Sequence, residues 1–289
     1  MMFPDHAARG AIALALAEDA AADDITTRWS VREDLCAQAR IISRQAGVAA
    51  GIPLAAEVYR QLDPTVVVHD TISDGTPVRP DDVLLRLRGP ARSLLAGERT
   101  VLNFLQRLCG IATLTSRYVS EVRDLPVRIL DTRKTVPGLR ALDKYAVTAG
   151  GGHNHRMNLA AMVLLKENHI AAAGGVTAAV TAVRKGMADE GRDVLIDVEV
   201  TTLAELREAV AAGASWIMLD NMPLHELVES VRLRRHRGLD IVLEASGTIT
   251  LERLRTIAET GVDVISVGAL THSAPALDLT MLVDGAPRV

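Results

Sequence analysis

Six short apolar runs constrain this chain's fold more than any other feature. Each ends in a polar residue or a glycine, and a helical pattern follows each. RILD ends at Asp131, MVLLKENH carries Lys166 and Asn168, and VLIDVEV ends around Glu199. WIMLD ends at Asp220, IVLEAS carries Glu244 and Ser246, and VISVG ends at Gly268. Helical spacing lies between them, as in Leu203 to Ala212, Pro223 to Arg235 and Leu251 to Thr260. Strand then helix at intervals of roughly 20 to 35 residues predicts βα units with parallel strands. An open doubly wound sheet gives the same rhythm but gathers its ligands at one switch point. A barrel brings every strand end to one mouth, and here nearly every run ends in a side chain with binding chemistry. The pattern therefore favours an α/β barrel left incomplete, with fewer strands than the eight of a closed one.

The first part of the chain has another texture. Residues 5 to 18 carry Ala, Ile and Leu at helical spacing and end in an acidic turn. From Ala37 to Leu87 short alternating runs are separated by the turn signals Ser73-Asp74-Gly75 and Arg79-Pro80-Asp81-Asp82. An antiparallel sheet follows, with a helix over Pro53 to Leu62 inside it. From Ala91 to Arg123 apolar residues return to spacings of three and four, which predicts a helix. Aromatics are only 2%, so the core rests on Ala, Val, Leu and Ile, and the scarcity argues against binding single-stranded nucleic acid, which leans on stacking aromatics. Cys36 and Cys109 are far apart, without metal-ligand spacing, which fits a reducing cytoplasm. No stretch approaches the roughly 20 apolar residues of a membrane span, and the N-terminus carries no secretion pattern.

Net charge is −4, yet Asp131 to Ile170 gathers Arg133, Lys134, Arg140, Lys144, His153, His155, Arg156 and Lys166 around Gly150 to Gly152. Guanidinium groups donate in a planar fork suited to carboxylates and phosphates. The stretch reads as an anion-binding site, with Arg133 and Lys134 at the mouth directly after the first barrel strand. Lys166, at the end of an apolar run, needs a partner or a ligand, because an unpaired buried charge is expensive. A Schiff-base role is open to such a lysine. Glu199 and Asp220 close consecutive strands and would face one cavity, where carboxylates can hold magnesium or accept from sugar hydroxyls. Asp197 shares a strand face with Glu199, but Glu199 stands at the strand end. After the last two strands, Ser246-Gly247-Thr248 and Gly268-Ala269 offer small residues and backbone N–H groups, as phosphate sites require.

Taken in order, LAEDAAADDITT, GERTVLNFLQRLCGIAT, DTRKTVPGLRALDKYAVTAGGGHNHRMNL, LLKENHI, IMLDNM, LEASGTIT and VDVISVGALTHS resemble the quinolinate phosphoribosyltransferases, the carboxylating nicotinate-nucleotide pyrophosphorylases of NAD biosynthesis. The resemblance spans nearly the whole chain. It implies an N-terminal α/β sandwich domain (residues 1–112), an incomplete α/β barrel (113–273) and a segment (274–289) packing back on the first domain. It also implies phosphoribosyl transfer from 5-phosphoribosyl-1-pyrophosphate (PRPP) to quinolinate, with loss of carbon dioxide. Thr132, Arg133, His155, Arg156 and Lys166 are then the quinolinate grips. Arg99, from GERT, is donated across a homodimer, with higher assembly left open. Lys134, Glu199 and Asp220 serve the transfer and the PRPP ribose and pyrophosphate. Glu199 and Asp220 also hold magnesium, directly or through water. Ser246, Gly247, Thr248, Val267, Gly268, Ala269 and His272 form the phosphate end. A carbonyl lyase using Lys166 and a non-catalytic anion binder are the competing readings.

Overall fold

The computed structural model describes residues 2–284. In chain order the elements are α1 (Asp5–Glu18), α2 (Ile25–Ser30), β1 (Cys36–Ser43), β2 (Gly47–Val48), α3 (Ile52–Leu62), β3 (Val67–His69), β4 (Pro77–Val78), β5 (Val83–Pro90) and α4 (Ala91–Glu121). There follow β6 (Arg128–Leu130), α5 (Arg140–Ala149), β7 (Val163–Leu165), α6 (Glu167–Ala173), α7 (Val176–Glu190), β8 (Ile196–Val200), α8 (Leu203–Ala211) and β9 (Trp216–Asp220). The chain ends with α9 (Leu224–Arg237), β10 (Val242–Ser246), α10 (Leu251–Ala258), β11 (Val264–Ser266), α11 (Ala269–His272) and β12 (Leu279–Val283). It divides into two compact units: 1–116 with 135–152 and 270–289, and 117–134 with 153–269. Residues 285–289, the end of the expected C-terminal segment, lie outside the described residues.

In the first unit an antiparallel sheet runs β12-β1-β5-β3. The late strand β12 pairs with β1 from Ala39↔Val283 to Ser43↔Leu279. The unit's core is mainly aliphatic, with Ile41, Leu85 and Leu87 from the sheet, Leu54 from α3 and Leu105 from α4, as the scarcity of aromatics requires. Tyr59 is a buried exception, and its hydroxyl donates to Leu94 O at 3.0 Å. Asp143 on α5 is fully buried and accepts from Arg107 Nε at 2.8 Å and Nη2 at 2.7 Å. Lys144 is also fully buried, and Arg140 Nε donates to Thr135 Oγ1 at 3.2 Å. Arg140 and Lys144 therefore belong to the framework of α5. The glycine triplet is likewise structural. A Cβ on Gly150 would sit 2.4 Å from Ala112 O, and one on Gly152 would sit 2.8 Å from Thr115 and Val147. Gly151, at φ 87°, makes the turn that ends α5.

The second unit holds the parallel sheet that the six runs predict. Its strand order is β6-β11-β10-β9-β8-β7. Read as a ring, this is consecutive order opened between the first and second strands, the signature of an incomplete barrel. Side chains alternate across each strand, so each strand serves two environments. Val198, Ile217, Leu219, Leu243, Ala245 and Ile265 are buried on one face. Helices α8, α9 and α10 contribute Leu206, Leu227, Val231, Leu254 and Ile257 to the same core. The opposite face carries Asp197, Glu199, Met218, Asp220, Glu244 and Ser246, in register across β8, β9 and β10. The run after Lys166 is two helices: Gly174 at φ 88° and Gly175 at φ 130° interrupt it between α6 and α7. No helix among the described residues is long and apolar enough to cross a membrane.

Candidate active site

The polar face of the second unit lines a cavity of about 550 Å³. Around it stand Thr132, Arg133 and Lys134 after β6, His155 and Arg156 in the next loop, Lys166 after β7 and Glu199 on β8. Asp220 closes β9, Ser246 closes β10, and Gly247 and Thr248 follow it. Twenty residues of sequence lie between Lys134 and His155, and Asp131 joins the two segments. Its fully buried carboxylate accepts from the His155 N–H at 2.8 Å and from Asn154 Nδ2 at 2.6 Å. A single parallel bridge, Leu130↔His153, lays this loop beside β6.

Cations dominate one side. Arg133 Nε is buried without a hydrogen-bond partner among the described residues, which marks a donor waiting for an anion. Burial holds the Arg156 pKa below its usual value, and neighbouring Arg133 lowers it further against the pull of Asp197. Two guanidiniums so placed favour an anionic ligand that neutralises both. Lys166 differs from the buried strand-end lysine expected from its apolar run. It is the residue after β7, its side chain is 47% exposed, and Nζ donates to Glu199 Oε2 at 2.7 Å. The run is short enough that the strand ends at Leu165, so the ammonium reaches the open cavity and a carboxylate. Its exposure also weakens a Schiff-base role, which needs a desolvated amine.

His155 lies deeper than a simple surface grip, its side chain only 7% exposed. Burial works against a charged ring, but the buried Asp197 and Glu244 carboxylates outweigh it and raise its pKa to about 9. Burial in turn raises Asp197 to about 6, against the stabilising imidazole. The sequence placed Asp197 behind Glu199 and did not single out Glu244. Alternation puts both on the cavity face, one layer below the mouth.

At the other end, Asn221 organises the loops and was not anticipated. At φ 51° it turns its side chain back, so that Nδ2 donates to Asp220 Oδ2 at 2.9 Å and Oδ1 accepts from the Thr248 N–H at 3.0 Å. Gly247 has φ 115°, and a Cβ there would lie 2.2 Å from Asn221 Oδ1. Gly247→Ala is therefore expected to cost about 1–3 kcal/mol of stability, measurable as a lower urea midpoint. Among the second glycine loop's residues, Val267 is fully buried and its N–H donates to Leu130 O at 2.9 Å, so that N–H is already used. Gly268 and Ala269 are half-buried and follow it, outside the cavity lining described above. Arg99 is exposed on α4 and His272 is exposed on α11, both in the first unit.

Family models match both parts of the chain: "Quinolinate phosphoribosyl transferase, N-terminal domain" over residues 24–109 and "Quinolinate phosphoribosyl transferase, C-terminal domain" over residues 111–282. The chain is 44% identical to a probable carboxylating nicotinate-nucleotide pyrophosphorylase of Bacillus subtilis, over 91% of this chain and 89% of the relative. It is 40% identical to a decarboxylating quinolinate phosphoribosyltransferase of Nicotiana tabacum, over 97% of this chain and 83% of the relative. The solved nicotinate-nucleotide pyrophosphorylase of Francisella tularensis superposes with a TM-score of 0.92 at 40% identity, covering 98% of each chain.

Proposed function

Because the chain belongs to the quinolinate phosphoribosyltransferase family, we propose that its barrel-mouth cavity binds quinolinate on the cationic side and PRPP on the side of Glu199, Asp220 and residues 246–248. The reaction transfers the 5-phosphoribosyl group from PRPP to quinolinate with decarboxylation. It yields nicotinate mononucleotide, pyrophosphate and carbon dioxide for NAD biosynthesis. The observations that carry the assignment of sides are the neighbours: Arg133 lies close enough to Arg156 to lower its pKa, Asp220 is tied through Asn221 to Thr248 of the Gly247 loop, and the Lys166–Glu199 pair stands where the two meet.

Quinolinate is a dianion, and two forked guanidiniums can each hold a carboxylate and fix the ring nitrogen toward the ribose. Arg133 Nε, unpartnered in the cavity wall, supplies one such donor. As pyrophosphate departs, positive charge grows at the ribose C1, an oxocarbenium-like state. Glu199 and Asp220 stabilise that charge from the cavity wall, and Lys134 stabilises the departing oxygens. The Lys166–Glu199 pair at 2.7 Å lets quinolinate draw the ammonium toward itself and release the carboxylate toward the ribose. Once the new bond makes the ring a pyridinium, the 2-carboxylate leaves as carbon dioxide. Its bonding pair stays on C2 as an ylide stabilised by the adjacent cationic nitrogen, and that carbon then takes a proton from solvent.

Glu199 and Asp220 offer an oxygen-only donor set on one cavity, which fits a hard divalent cation. They would hold magnesium, directly or through water, and the ion would neutralise the pyrophosphate. Gly268 and Ala269 extend the phosphate end in this reading. Arg99 is exposed, which supports its donation across a homodimer. Free Cys36 and Cys109 support a cytoplasmic setting.

The deciding assay supplies purified protein with quinolinate, PRPP and magnesium and scores nicotinate mononucleotide and carbon dioxide together. Both are expected, and both should vanish with chelator. A folded protein that forms neither would refute quinolinate as the substrate.

A further inference from the structure

At the floor of the cavity lies a polar cluster of which the reaction as described uses only His155. It comprises His155, Asp197 on β8, Trp216 on β9, Glu244 on β10 and Ser266 on β11. Asp197 and Glu244 are both 0% exposed. Glu244 is held from two sides: Oε2 accepts from Trp216 Nε1 at 2.7 Å, and Oε1 accepts from Ser266 Oγ. His155 Nε2 stands 3.3 Å from Glu244 Oε2 and 3.7 Å from Asp197 Oδ2. Among the described residues no hydrogen bond reaches the Asp197 oxygens, and the His155 imidazole faces Oδ2 as an ion-pair partner. On the ring's other side, Nδ1 accepts from the Arg156 N–H at 2.8 Å.

That last bond depends on the ring's charge. An accepting Nδ1 belongs to the neutral ring with its proton on Nε2, whereas the cationic ring that the two carboxylates favour is protonated on both nitrogens and gives up the bond from the Arg156 N–H. In both states Nε2 is protonated and turned toward the two carboxylates. The three residues place one donor atom each within 4.8 Å of one another, a spacing that suits a metal ion. A metal would need the Nε2 lone pair, so the Arg156 N–H argues against one.

We propose that Asp197 and Glu244 are positioning residues for the quinolinate grip: their charge, 3.7 and 3.3 Å from Nε2, holds the His155 ring in place, and the ring so held orients the Arg156 backbone beside its Nδ1. This inference rests on reading the cavity as the quinolinate site. Residues 154–156 belong to no helix or strand, so their placement depends on such bonds. Asp131 fixes the Asn154 side chain and the His155 N–H, and the held imidazole sets the Arg156 backbone beside Nδ1. Arg156 thereby enters the cavity from a loop held at each of these residues. Buried Asp197 also offsets the repulsion between Arg156 and Arg133.

The test is steady-state kinetics on the isosteric variants Glu244→Gln and Asp197→Asn, starting from active wild-type protein. A small displacement of an orienting group is expected to raise the KM for quinolinate on the order of 10- to 100-fold. The KM for PRPP should stay within about twofold, because uniform damage to the cavity would raise both. In 15N-histidine spectra the Nε2–H resonance of His155 should be present in the wild type and lost or moved in Glu244→Gln. Unchanged quinolinate KM in folded variants, or equal rises in both KM values, would overturn the proposal. If neither variant folds, Trp216→Phe decides, since it keeps an aromatic ring at the site and removes the Nε1–H that steadies Glu244 together with part of the indole's bulk. A rise of roughly 3- to 10-fold in quinolinate KM is expected there, and no rise overturns the proposal. A stoichiometric metal that Glu244→Gln removes also overturns it. A wild type that neither binds nor converts quinolinate refutes the substrate assignment itself, and that failure is visible before any variant is compared.

Discussion

Glu199→Gln and Asp220→Asn should each lower kcat by about 100- to 1,000-fold, the usual effect of removing one preorganised charge-stabilising group. Both substitutions keep the side-chain shape and remove the charge. At saturating magnesium, which makes up for a weakened metal site, the ground state asks little further of these carboxylates. PRPP is itself strongly anionic, and without the ion a carboxylate beside it repels rather than binds. Their contribution comes when the ribose C1 turns positive, so the loss belongs in kcat more than in KM. The two variants should differ in one respect. Glu199 Oε2 is paired with Lys166 Nζ at 2.7 Å, and neutralising Glu199 releases the ammonium. Asp220 is tied instead to Asn221, a neutral partner at 2.9 Å. Glu199→Gln should therefore also alter the quinolinate KM, while Asp220→Asn leaves it close to wild type. Steady-state kinetics with both substrates varied checks this. A full kcat in either variant would remove that carboxylate from the transition state.

The barrel was legible because six apolar runs with polar ends have few other uses. Their strands fall where the runs fall, and strand alternation explains why VLIDVEV carries two acids. The ring order opened between β6 and β7 was not legible, because pairing is set by packing rather than by any local signal. The cavity residues named from strand ends, Arg133, Lys134, Lys166, Glu199, Asp220 and Ser246, do come together. Proximity in sequence misled for Arg140 and Lys144. A run of basic residues shows how much charge is present but not which helix face carries it, and α5 turns Lys144 inward. Asp197 and Glu244 were hidden for a different reason. Each sits mid-strand among aliphatics, and only the register of β8, β9 and β10 brings them under one imidazole. Asn221 was hidden because its role needs a left-handed backbone, which sequence does not announce outside glycine.

Arg133→Ala should raise the quinolinate KM by roughly 10- to 150-fold, the equivalent of about 1.5–3 kcal/mol for a hydrogen bond to a charged group. The reasoning starts from the ligand-free cavity. Arg133 Nε is buried there without a partner, so the protein has already borne the desolvation of that donor before any substrate arrives. A carboxylate that docks against it recovers the bond without a further desolvation cost on the protein side. Arg156→Ala should have a comparable effect, because burial and Arg133 both disfavour its charge until an anion enters. The double variant separates two pictures. Independent grips on separate carboxylates would give losses that add in free energy. A shared grip would give a smaller loss than the sum, because relieving the repulsion between the guanidiniums offsets part of it. Arg133→Lys tests the fork itself: a lysine keeps the charge but not the bidentate geometry, and it should recover only a small part of the affinity. Binding of quinolinate measured by calorimetry, without PRPP, reads these losses directly. Wild-type affinity in Arg133→Ala would place the carboxylate elsewhere in the cavity.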